Sequence, residues 1–162
     1  MTELGAPRAP ARLVLGLLAV VQGVDGFYAL LAPRSFYEDF PAGRGWVEAL
    51  PAYSEHLVRD VGGLFLATAV VLGAAAIWLE RRLVLVALVS FLAFSIPHTT
   101  YHLFNLGGIS TGDAIAEAVL LLLTVVAPVA LLVAMLMHRP GRACFRAGSP
   151  PARSRRRSPS SR

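Results

Sequence analysis

Four long apolar runs, with the few ionisable residues gathered toward one end of them, constrain this chain more than anything else in it. The runs are Leu13–Ala32, Leu57–Leu79, Leu83–Phe104 and Ala114–Met137. A helix needs about 20 residues to cross about 30 Å of hydrocarbon, and each run reaches that length. Within or beside the runs lie Asp25, His56, Arg59, Asp60, His98, His102, Asp113 and Glu117. Ionisable groups are expensive in hydrocarbon, so such a cluster marks a candidate site. The pattern predicts an all-α fold, a four-helix transmembrane bundle with a polar pocket in its outer half.

Hydrophobic residues make up 56% of the chain, which excludes a soluble domain of ordinary composition. One membrane domain, 13–137, accounts for the four runs. A short polar leader, 1–12, precedes it. The 138–162 tail is rich in Arg, Ser and Pro and is expected to be disordered. The net charge of +5 belongs to that tail, where residues 139–162 carry eight Arg and no acid. The basic balance therefore implies no nucleic-acid partner. The string Arg153-Ser154-Arg155-Arg156-Arg157-Ser158 reads as a solvated tether near anionic lipid. The lone Cys144 cannot form an internal disulfide.

Arginine placement predicts orientation. Arg8 and Arg12 precede the first run, Arg81 and Arg82 join the second and third, and Arg139, Arg142 and Arg146 follow the fourth. The 105–112 loop has no basic residue, and the 33–56 loop balances Arg34 and Arg44 against four acids. Short-loop Arg bias puts both termini and the 80–82 turn in the cytoplasm. The rival reading, a cleaved signal peptide over residues 1–32, has Arg8 and Arg12 as its basic region. It meets a long apolar stretch holding Gln22 and Asp25, without a clean small-x-small site.

The outer loop carries Phe36, Tyr37, Phe40, Trp46 and Tyr53, rings suited to the membrane–water interface. Part of it is expected to lie flat as a short helix. Ser54 is placed to N-cap the second helix, and Ser110-x-x-Asp113 resembles a capping box opening the fourth.

Three constellations carry chemistry. His98 and His102 stand at i and i+4, so on a helix they share a face, extended by Ser95. They could ligate one metal with Glu117, or simply bond neighbouring helices. Pro97 leaves the carbonyl of Ala93 without its helical donor. No His-Glu-x-x-His is present, so a metalloprotease has no support. Arg59 shares a side with Gly63-x-x-x-Ala67, a small-x-x-x-small pattern for close helix contact. It is expected to be buried there, with Asp25 or Glu117 as partner. Asp113, Glu117, Thr124 and Pro128 form a stripe on the fourth helix, and Pro128 frees the carbonyl of Thr124. Asp25 is the deepest charge and is expected to be neutral or paired with Arg59 or a His.

The string Ala32-Pro33-Arg34-Ser35-Phe36-Tyr37-Glu38-Asp39-Phe40-Pro41, with Trp46-Val47, the run 50–63 and Pro97-His98-x-x-Tyr101-His102, resembles an uncharacterised family of four-helix integral membrane proteins of actinobacteria. The similarity covers about residues 13–135. More loosely, the helix count and Gly-rich second helix resemble DoxX-like membrane proteins. The resemblance implies a bacterial plasma membrane location and supplies no catalytic residues.

The leading functional expectation is a binding or accessory protein. Its outer site of Asp25, Arg59, His98, His102 and Glu117 would engage a small ligand, a lipid headgroup or a partner membrane protein. The alternative is a membrane oxidoreductase or metal-dependent enzyme using His98 and His102. A proton-coupled transporter ranks third, because four spans without a repeat leave little room for alternating access. The sequence names no cofactor.

Overall fold

A computed structural model of the protein describes residues 4–50 and 52–137. The expectations for the 138–162 tail, Cys144 included, fall outside the described residues. Five helices follow in chain order: α1 Arg8–Leu31, α2 Pro33–Asp39, α3 Glu55–Trp78, α4 Arg81–Phe104 and α5 Thr111–Met137. No strand occurs among the described residues. The helices α1, α3, α4 and α5 are long and apolar enough to cross a membrane. At about 1.5 Å per residue their lengths are ~36–40 Å. The first begins at Arg8, five residues ahead of the apolar run, so part of the expected leader is helix. Leu4, before it, is buried in the core. Arg is a good helix former, so the two basic residues do not hold the helix start back to Leu13.

Packing closes a ring: α1 on α3, α3 on α4, α4 on α5, and α5 back on α1. The apolar core fills the end where α3 runs into α4. Leu15 and Leu72 from α1 and α3 meet Val84, Leu88 and Phe91 of α4 and Met135 of α5 there. At the same end Arg12 Nε donates to Ala76 O at 3.1 Å, and Arg81 Nη1 donates to Leu4 O at 2.8 Å. Arg12 thus satisfies a carbonyl in the last turn of α3, one of those a helix leaves free. Leu79, in the left-handed region at φ 50°, turns the chain from α3 into α4.

Toward the other end α1 and α3 approach through glycine. A Cβ on Gly62 would lie 2.8 Å from Leu30 N and 3.0 Å from Gly26 O, while one on Gly63 would meet nothing within 4 Å. The close contact is therefore at Gly62, which corrects the expectation for Gly63-x-x-x-Ala67. One residue is about 100° of rotation, so neighbouring glycines face different surroundings.

The connection from α1 to α3 is anchored by α2. Pro33 opens it at a position where a missing N–H is harmless. Tyr28 OH donates to Ser35 Oγ at 2.8 Å, and Ser35 donates on to Asp39 at 2.8 Å. Phe36 is buried edge-on against Tyr28, with ring centroids 5.4 Å apart. Ser54 occupies the N-cap position of α3, but its side chain makes no capping bond. Ser110 does cap α5: its Oγ accepts from the Asp113 N–H at 3.1 Å and donates to the Asp113 carboxylate at 2.6 Å.

Candidate functional site

The α2 end of the bundle holds the polar residues, and they divide into three groups. The innermost joins α4 to α5. His102 Nδ1 and Glu117 Oε1 share a hydrogen bond at 2.5 Å, with side chains only 12% and 6% exposed. The last turns of α4 position His102, and the second turn of α5 positions Glu117. His98, one turn deeper on α4, lies against His102 with ring centroids 4.5 Å apart. His98 in turn stacks on Phe94 at 5.0 Å, and Phe94 meets Phe65 of α3 edge-on at 5.3 Å. The two imidazoles thus stand between a buried carboxylate and an aromatic wall. Thr99 Oγ1 donates to Leu121 O at 3.4 Å, a second polar tie between the same helices.

Such a pair can accept and donate at once. A carboxylate beside an imidazole fixes the ring's orientation and can move a proton along the bond. His98 and Glu117 approach His102 from two sides. Among the described residues no group of three or more His, Cys, Asp or Glu side chains is arranged to hold a metal ion.

The second group is a clamp one turn higher on α5. Arg44 Nη1 donates to Asp113 Oδ1 at 2.5 Å, linking the α2–α3 connection to the start of α5. Arg44, Glu48, Ser110 and Asp113 line an open depression of ≈ 400 Å³. Trp46, beside Arg44 in sequence, is buried. Nothing in the sequence period marks Arg44, because it stands between Gly43 and Gly45 in a turn.

The third group is solvent-facing at the start of α3. His56, 90% exposed, pairs with Asp60 at 3.2 Å. Arg59, 44% exposed, donates to Glu55 at 2.9 Å and to Leu30 O. This overturns the expectation that Arg59 is buried against Asp25 or Glu117. An i−4 acid in the same first turn, together with the free carbonyls at the end of α1, supplies partners without leaving the surface. Asp25 is half-buried on α1 and has no hydrogen bond or ion pair among the described residues. Of the five residues expected in one pocket, His98, His102 and Glu117 come together, while Arg59 and Asp25 do not join them.

The fold and this cluster define the class: a bundle of four membrane-length helices, the pattern of a multi-pass integral membrane protein, with a buried imidazole–carboxylate pair near one end. No protein-family model, curated protein or solved structure matches the chain.

Proposed function

We propose that this protein is a binding or accessory protein of a bacterial plasma membrane, akin to the small four-helix proteins its sequence resembles. Both termini and the 80–82 turn are cytoplasmic, and the α2 end faces outward. Its site is the pair His102–Glu117 with His98 behind it, and its ligand is a small polar molecule or a lipid headgroup able to both donate and accept hydrogen bonds. One observation carries this reading: Glu117 and His102 are kept almost entirely from water, on helices that otherwise present apolar side chains. Burying two ionisable groups is costly, and a purely structural contact there could be made by apolar residues.

Native mass spectrometry of the full chain released from mild detergent tests the reading. The wild type is expected to retain a small molecule or lipid that Glu117→Gln and His102→Gln lose and Arg34→Ala keeps. Identical adducts on all four proteins would sink it.

A further inference from the structure

The depression beside the Arg44–Asp113 clamp brings together a carboxylate and a guanidinium that both have hydrogen-bonding capacity to spare. It holds ≈ 400 Å³ between the α2–α3 connection and the start of α5. Asp113 is saturated there. Arg44 Nη1 donates to its Oδ1 and Ser110 Oγ donates to its Oδ2 at 2.6 Å. The buried Trp46 indole, which makes no hydrogen bond among the described residues, faces the same carboxylate.

Glu48 is placed differently. It stands four residues after Arg44, yet Arg44 turns to Asp113 on α5 instead. The Glu48 side chain lines the depression and makes no hydrogen bond or ion pair among the described residues. Its Oε2 lies over Gly45, 3.3 Å from where a Cβ on that residue would stand. Gly45 has φ +64°, so glycine both makes this turn and leaves the carboxylate its space. Arg44 is 55% exposed, and Asp113 takes only one of its several N–H donors.

One guanidinium against two carboxylates leaves one net negative charge in the depression. A purely anionic ligand is therefore disfavoured. The complementary ligand brings a cation with N–H donors to Glu48 and an anionic oxygen to the free donors of Arg44. Position narrows the source. Helix α5 is long enough to cross a membrane and begins at Thr111. Its first turn and the loops beside it thus lie at the level of the lipid headgroups. Tyr37, whose OH donates to Glu48 O at 3.4 Å, adds an interfacial ring to the same connection. We propose that this depression binds the phosphoethanolamine headgroup of a membrane lipid, with its ammonium on Glu48 and its phosphate on Arg44. The site is separate from the His102–Glu117 pair and does not rest on the function proposed for it.

The test titrates the full chain in mild detergent with short-chain phosphatidylethanolamine, phosphatidylcholine and phosphatidylglycerol, and native mass spectrometry counts the bound lipid. Phosphatidylethanolamine is expected to saturate near one per chain and to bind at least about tenfold more tightly than the other two. The choline ammonium has no N–H to donate, and the glycerol headgroup has no cation. Glu48→Gln is expected to weaken phosphatidylethanolamine binding by about tenfold and to leave phosphatidylcholine binding unchanged. The Glu48 carboxylate holds no other group in place, so this loss does not arise from unfolding. Glu80→Gln, at the exposed turn on the opposite end, and Glu117→Gln are expected to have no effect, and the second separates this site from the buried pair. Free phosphoethanolamine is expected to compete only weakly, because it lacks the lipid's apolar contacts. If it binds as tightly as the lipid, the ligand is a soluble zwitterion and the lipid assignment is overturned. Equal affinity for phosphatidylethanolamine and phosphatidylcholine, or a preference that survives Glu48→Gln, overturns the site itself.

Discussion

His102 and Glu117 differ from the other charged pairs in how little water reaches them. Arg59 and Glu55 keep 44% and 57% of their side-chain surface, and Arg34 and Glu38 keep 69% and 39%. Exposed pairs of that kind contribute about 0–1 kcal/mol, because solvent competes for both partners. Breaking a buried pair is different: it leaves one ionisable group without a partner and typically costs about 3–5 kcal/mol. His102→Phe is therefore expected to destabilise the protein by roughly that amount. Arg59→Ala is expected to change stability by about 1 kcal/mol or less. The double variant His102→Phe/Glu117→Leu removes the stranded carboxyl and is expected to recover most of the loss. Unfolding in detergent–SDS mixtures measures all three. If the double variant is no more stable than His102→Phe, the stranded carboxyl is not the cause of the loss, and ring packing against His98 is the larger effect.

At the scale of the helices, what the chain's pattern reveals depends on how local the cause is. The four spans are legible because length and apolarity are properties of single segments. The Ser110–Asp113 cap is legible for the same reason, since both partners lie within one turn. His98 and His102 are readable as neighbours from their i, i+4 spacing. That Glu117 rather than Asp25 meets them depends on how α4 and α5 are rotated, and no single helix encodes that rotation. Arg44 and Asp113 are 69 residues apart and meet only once the bundle has formed. The two glycines of α3 show the limit most sharply. Gly62 and Gly63 are equivalent as letters, yet a methyl on Gly62 would press on the backbone of α1 and one on Gly63 would meet open space. Overpacking against backbone costs typically about 1–3 kcal/mol. Gly62→Ala is expected to lower the thermal midpoint clearly. Gly63→Ala is expected to be neutral or slightly stabilising, because alanine is the better helix former. Equal shifts from the two would show that the α1–α3 contact does not turn on Gly62.

For the molecule as a whole, function depends on which side of the membrane the α2 end faces. The ring of four helices alternates direction, so the 80–82 turn and the Arg44–Asp113 clamp lie at opposite ends whichever way the bundle is inserted. Insertion follows short-loop arginine, and Arg81 and Arg82 stand in the short turn between α3 and α4. The loop at 105–110 has no basic residue, and Arg44 in the α2–α3 connection at the same end is paired with Asp113. The bias predicts the 80–82 turn in the cytoplasm and the depression beside Arg44 outside. Single cysteines in a Cys144→Ser background test this on intact cells with a membrane-impermeant maleimide. Gly43→Cys, exposed next to the clamp, is expected to label without permeabilisation. Glu80→Cys, also exposed, is expected to label only after the membrane is opened. The reverse pattern would turn the His102–Glu117 site toward the cytoplasm, so its ligand would be a cytoplasmic molecule and not one arriving from outside.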